Sequence, residues 1–229
     1  MKTRLANELP SIENVRLFRS KIIRWFNKNK RDYPWRETQD PFKVLIAEMM
    51  LRRTKADQVR AVYDRLFAEY PDVETMAKAG NEELEEILYP LGLKWRNPAF
   101  RLVAREVKEK YQCKIPEARE ELTTLPGVGE YVAGAVLSIA YGKREWIVDS
   151  SIVRLFRRYF GVRTSKEGRR DKHVVEIAKM YVSGKDPRKA NLAILDFAAL
   201  ICLPRDPRCI QCPVSATCRY YALGRKGKE

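Results

Sequence analysis

Cys202, Cys209, Cys212 and Cys218, spaced C-x6-C-x2-C-x5-C, are the residues of this chain with the plainest capacity for metal chemistry. Four thiols at unequal gaps call for a shared partner. Zinc ribbons and fingers usually carry two short pairs separated by a longer arm, often with histidine. The one histidine, His173, lies outside the run, which disfavours a Cys/His zinc site. A single C-x2-C flanked by arms of six and five residues suits a larger object, an iron–sulfur cube with a thiolate on each iron. A four-cysteine zinc site and two structural disulfides are the competing readings. Cys113 is left over and reads as a bystander.

A second candidate is Asp149, in Ile147-Val148-Asp149-Ser150-Ser151-Ile152-Val153-Arg154. It ends an apolar approach and precedes a helix expected over Ser150–Tyr159, whose amino-terminal end favours an anion. Capping that helix is the plainer job for an aspartate there, and the two roles are compatible. About twenty residues earlier stands Leu125-Pro126-Gly127-Val128-Gly129, between a short helix and the apolar run Tyr131–Tyr141. Two glycines two apart let the backbone turn tightly and approach a partner closely. The helix that follows offers free N–H groups suited to phosphate. An ordinary helical corner has the same pattern. Lys143, Arg144 and the overall charge tilt the reading to a phosphate-binding helix-hairpin-helix.

The elements that must position these residues read as helical nearly throughout. An amphipathic helix is expected over Val15–Lys28, with Phe18, Ile22, Trp25 and Phe26 on one side. An irregular segment, RDYPWRETQDPF, leads to a helix over Pro41–Leu51. Further helices are expected over Lys55–Tyr70, Asn81–Leu88, Asn97–Tyr111 and Ala118–Thr123, with breaks at Pro71, Gly92 and Pro116. No stretch alternates as a strand does, so the fold class is all-α. The GRKGKE end reads as a frayed tail.

Composition narrows the function. At 229 residues and 45% hydrophobic, the chain can bury one substantial core or two modest ones, and it is not a disordered protein. No apolar run is long enough to span a membrane, and the mixed-charge amino terminus lacks a signal core. An intracellular, reducing setting follows, which suits metal-bound thiolates better than disulfides. A net charge of +15 and a pI near 9.7 predict attraction to polyanions that weakens as salt rises.

Together, the helix-hairpin-helix, the aspartate about twenty residues later and the cysteine run resemble the endonuclease III superfamily of DNA glycosylases. The likeness runs from Tyr33-Pro34-Trp35-Arg36 through Pro41-Phe42 and Glu48 to Cys218. It implies two all-α domains: a six-helix barrel with the hairpin over residues 34–139, and a discontinuous cluster domain from 1–33 with 140–229. DNA would lie in the cleft between them. It also implies that Cys202, Cys209, Cys212 and Cys218 hold a [4Fe-4S] cluster, and that the hairpin contacts DNA through Leu125, Gly127, Val128 and Gly129, with a bridging monovalent cation. A monomer acting on double-stranded DNA is expected, in the cytoplasm or nucleoid of a prokaryote. Abundant Glu, Lys and Arg with scarce Gln point to a thermophilic source, and the resemblance implies an archaeal one.

Within that superfamily, bifunctional members place a lysine nucleophile two residues after the second hairpin glycine. Here that place is Tyr131, and a phenol cannot form a Schiff base, so little or no lyase activity is expected. Glu48 resembles the carboxylate that contacts the flipped base in adenine and thymine mismatch glycosylases. Adenine enzymes follow that stretch with Gln-Gln-Thr and carry an extra carboxy-terminal domain. This sequence reads Arg52-Arg53-Thr54 and ends soon after Cys218. The pattern is most similar to archaeal glycosylases acting on thymine or uracil mispaired with guanine. An adenine glycosylase acting opposite guanine or 8-oxoguanine is the nearest alternative, and a non-catalytic iron–sulfur DNA-binding module is the alternative of another class. The resemblance implies base flipping, Asp149 stabilising an oxocarbenium-like sugar, Glu48 hydrogen-bonding the departing base with a raised pKa, and Tyr131 lining the pocket. Arg52 or Arg53 would fill the vacated stack and reach the orphaned guanine. Ser151 stands where this branch commonly has asparagine.

Overall fold

The computed structural model describes residues 9–92, 94–165 and 167–224; most of the GRKGKE tail and the first eight residues of the expected cluster domain lie outside them. The described residues contain helices, turns and loops and no strand. The chain divides into two compact units, Met1–Arg31 with Arg144–Glu229, and Asp32–Lys143. The first helix, α1 (Ile12–Asn29), belongs to the discontinuous unit and is capped by the Ser11 hydroxyl, which accepts from the Asn14 N–H.

The central unit is built around α2 (Pro41–Leu51). Asp40 caps it by accepting from the Phe42 and Lys43 N–H groups at 2.9 and 3.3 Å, and Pro41 supplies a first-turn residue that has no N–H to leave unsatisfied. Eight of its residues are buried, from Phe42 to Met50 with Lys43 excepted, so it is apolar nearly all round, as an enclosed helix must be. Around it run α3 (Ala56–Glu69), α4 (Val73–Lys78), α5 (Asn81–Leu88), α6 (Pro98–Tyr111), α7 (Arg119–Thr124) and α8 (Glu130–Ala135). The last passes into a wider π-helical turn at Val136–Ala140. α2 packs on α3 and α8, and α6 on α4. The expected bounds of α2 and α5 match those observed, and the others differ by a few residues. α4 was not anticipated: one turn and a half between Pro71 and Gly80 is too short to show a period, and a capping box from Asp72 and Thr75 starts it.

The discontinuous unit adds α9 (Ser150–Phe160), α10 (Lys172–Val182), α11 (Pro187–Leu200) and the single turn α12 (Arg219–Ala222). α1 lies on α10 and α11. Its buried face is Val15, Phe18, Ile22 and Phe26, while Trp25 sits half-buried at the edge, its ring edge-on to Phe197 at 5.3 Å. Phe18 is the hub, with the rings of Phe156, Tyr159, Phe160 and Tyr181 all within 6.4 Å. Fully buried Asp196 on α11 accepts from the backbone N–H and Nε of Arg31 at 2.8 and 2.6 Å, tying the residue that ends this part of the unit into its core.

Candidate active site

In the central unit the hairpin is a tight turn. The Val128 N–H donates to the Leu125 carbonyl at 3.1 Å, Pro126 follows Leu125, and Gly127 takes φ +78°, the left-handed value that the third position of a type II turn requires. A side chain at Gly127 would also meet Ala99 Cβ at 3.1 Å and Met49 Cε at 3.2 Å. Leu125 and Val128 are 2% and 7% exposed, so their side chains anchor the turn in the core, and the backbone at Gly127 and Gly129 is what faces out. The carbonyls of Leu125 and Gly127 are already engaged, by Val128 N–H and by Arg52 Nη1 at 2.7 Å. A bridging cation would have to share them, and we assign none.

That second bond separates the two arginines. Arg52 is spent bracing the hairpin. Arg53, exposed and at φ +58°, makes no hydrogen bond or ion pair among the described residues. The turn carrying them is held by Arg96, a residue with no signal in the local sequence. Arg96 is 6% exposed, its Nη1 donates to the Arg52 carbonyl and its Nη2 to Thr54 Oγ1 at 2.8 Å. Burial, then the neighbouring Arg52 charge, lower its pKa from the ordinary arginine value. Glu48 lies on α2 and is 4% exposed; Tyr131 is half-buried near the start of α8, and the two helices pack together.

In the discontinuous unit Asp149 is the N-cap of α9. Its Oδ1 accepts from the Ile152 N–H at 2.8 Å, and the Ser151 hydroxyl lies 2.7 and 2.9 Å from the two carboxylate oxygens. Two donors from the helix that it caps, the Ile152 N–H and the single Ser151 hydroxyl proton, fix the carboxylate while leaving the residue half-exposed. The serine found where asparagine is common serves here as a hydroxyl donor to the aspartate.

The same helix reaches the cysteine run. Arg154 donates to the carbonyls of Cys202 and Ala198, each at 3.0 Å, and buried Arg158 to those of Leu203 at 2.6 Å and Pro204 at 3.0 Å. Arg158 Nη1 also lies 3.7 Å from Cys202 Sγ, and its guanidinium stacks over Tyr220 at 4.8 Å. All four cysteines line one cavity, walled by Leu155, Phe197, Ile201, Val214 and Tyr220, with about 340 Å³ of atom-free space that is partly open to solvent. Among the described residues no three His, Cys, Asp or Glu side chains converge closely enough to grip a single ion. Four thiols lining one shared space are a donor set that an iron–sulfur group can use. Burial, with the other three thiols adding to it, pushes Cys212 up to about 12, and burial also raises Cys209 and Cys218.

The HhH-GPD superfamily of base excision DNA repair proteins matches residues 46–191, and the chain belongs to that superfamily. The thymine/uracil-DNA glycosylase of Methanothermobacter thermautotrophicus is 38% identical over 207 residues, covering 90% of this chain and 94% of that one. The thymine-DNA glycosylase of Aeropyrum pernix is 35% identical over 213 residues, covering 90% and 95%. Among solved structures, a thermostable thymine-DNA glycosylase aligns with a TM-score of 0.85 at 36% identity, covering 92% of this chain and 98% of that one. No helix among the described residues is long and apolar enough to cross a membrane.

Proposed function

We propose that the protein is a monofunctional DNA glycosylase of base excision repair that releases thymine or uracil mispaired with guanine. The names of its archaeal relatives support the substrate class. The observation that carries the chemistry is the Asp149 carboxylate, fixed by Ser151 and Ile152 at the mouth of α9. A base stacked in a duplex is out of reach, so the target nucleotide rotates into the protein, a step costing a few kcal/mol and least at a mismatch. The C1′–N bond then breaks with its electron pair on the base, and positive charge grows on the sugar. Asp149 faces that charge, while Glu48, enclosed on α2, hydrogen-bonds the departing pyrimidine; water then forms the new bond to C1′ and its proton neutralises the base anion, leaving an abasic site. The hairpin holds the backbone beside the lesion through Gly127 and Gly129, and Arg53 offers the orphaned guanine a guanidinium.

Cys202, Cys209, Cys212 and Cys218 would hold a [4Fe-4S] cluster, for which their shared cavity and the adjoining Arg158 are suited. When bound, such a cluster supplies strong iron–thiolate bonds that close the chain's end, and the hydrolysis has no step that needs it. Base-release assays on duplexes with T, U or A opposite G, C or 8-oxoguanine, read with and without alkali, test the assignment. Alkali-dependent cleavage confined to T and U opposite G is the expected pattern, and release of adenine would replace it with the rival activity.

The absence of lyase chemistry is assigned to Tyr131, whose phenol offers no amine to an aldehydic sugar. Tyr131→Lys is expected to gain what the wild type lacks: strand nicking without alkali, and a covalent protein–DNA adduct trapped by borohydride. A variant that still folds and releases base but traps no adduct would remove Tyr131 from the pocket.

A further inference from the structure

Two turns in the central unit share one design. The Thr54 N–H donates to the Leu51 carbonyl at 3.3 Å, Arg52 has φ −63° and ψ 112°, and Arg53 has φ +58°. Those are the dihedrals of a type II turn, whose third position favours glycine, as Gly127 is in the hairpin. Arg53 therefore occupies the position where a side chain is least tolerated. Such a residue persists only when its surroundings over-determine it.

The surroundings do so from two sides. Arg52 Nη1 fastens the turn to the Gly127 carbonyl at 2.7 Å. From beneath, Arg96 spans the Arg52 carbonyl and Thr54 Oγ1, the two acceptors that flank Arg53. A guanidinium fork is the side chain that can donate to both at once. Its burial is not balanced by a carboxylate: no ion pair includes Arg96 among the described residues, and its Nε has no hydrogen-bond partner. A buried cation without a counter-ion is unfavourable for folding, so holding a surface turn together is a poor account of why it stands there. Its charge sits directly behind a turn that would meet a polyanion, and the one guanidinium of the three with nothing to hold is Arg53.

We propose that Arg96 is a positioning residue that keeps Arg53 set for entry into the stack opposite the extruded nucleotide, and so governs the preference for guanine on the facing strand. The inference rests on the glycosylase reading, and a test that reads duplex opening separately from base release keeps the two apart. A G·U duplex carrying 2-aminopurine beside the guanine brightens as that strand is unstacked. Wild-type protein is expected to raise the signal, and Arg53→Ala to abolish the rise. Arg96→Gln, and the milder Thr54→Val that deletes a single acceptor, are expected to weaken insertion by about tenfold, the worth of one charged hydrogen bond. They should lose the same factor in uracil release from the duplex and none from a single-stranded oligonucleotide, which has no facing base. The double variant Arg53→Ala/Arg96→Gln should be no worse than Arg53→Ala alone. An unchanged rise in both Arg96→Gln and Thr54→Val, equal losses on single and double strands, or additive losses in the double variant would each overturn the positioning role. Opening of the duplex without base release would sink the glycosylase reading and leave the positioning role standing. A wild type that neither opens the duplex nor releases base would end both.

Discussion

Asp149→Asn is expected to cut base release by about a thousandfold, the scale on which a site loses a charge aimed at its transition state, while folding and DNA affinity are kept. Asparagine caps helices as well as aspartate does, so its amide oxygen can take over the Ile152 N–H now held at 2.8 Å. The helix that starts there continues into Ile152, Val153, Leu155 and Phe156, all buried apolar side chains, and Arg154, which feels the Asp149 charge, keeps its bonds to the Cys202 and Ala198 carbonyls. What is lost is the full negative charge that an electron-poor deoxyribose would meet. Binding should, if anything, tighten, because one anion has been removed from a surface that carries phosphates. Ser151→Ala deletes the hydroxyl 2.7 and 2.9 Å from the two oxygens and should fall between wild type and Asp149→Asn. Single-turnover release from a G·U duplex, measured beside the dissociation constant and Tm, checks all of this. Turnover retained by Asp149→Asn would take the residue out of catalysis and leave it a helix cap.

How much of this was legible in the sequence depends on the range of the interactions involved. Local chemistry could be read directly. Pro41 with Asp40 before it marks the start of α2, and Leu125-Pro126-Gly127 spells its own turn. Ser150 onward forms a helix because an aspartate caps it. α10 and α11 were not singled out, although Asp171 and Asp186 cap them in the same way, Pro187 opens the second, and their apolar residues recur with helical period. Those signals were present and could have been used. Long-range bonds could not be foreseen. Arg52 and Arg53 are the same residue type in adjacent places, and only the fold shows one engaged with Gly127, across 75 positions, and the other free. Arg96 has its partners 42 and 44 residues away and no pattern around it. Leu125 and Val128, expected to meet DNA through the hairpin's amides, have side chains in the core, because a turn that offers its backbone outward must be anchored inward.

Loss of the proposed cluster is the other change with a large expected effect, and it should reach beyond the cysteines. The stretch from Cys202 to Cys218 has only two 3-10 turns of its own, at Cys209–Gln211 and Ser215–Thr217, and between those cysteines Val214 is the one buried hydrophobic side chain. So short a segment cannot fix its own conformation by burial, and a group bound by all four thiols would have to do it. Arg158 makes the dependence sharper. This guanidinium is 5% exposed, lies 3.7 Å from Cys202 Sγ and donates to the Leu203 and Pro204 carbonyls. A ligated cluster would set thiolates beside it, and a buried cation from which such a partner is removed costs about 3–5 kcal/mol. For a chain of this size that is a fall in Tm of about 10 °C or more. The loss should then travel along α9: Arg154 and Arg158 hold the Cys202 stretch, and Asp149 caps the same helix. Cys212→Ser, or iron stripped by chelation after oxidation, is therefore expected to lower Tm, DNA affinity and base release together. Iron content, thermal melts and DNA titrations on matched samples read the three effects. Iron-free protein that melts and binds DNA as the loaded protein does would show that the cysteine loop needs no staple.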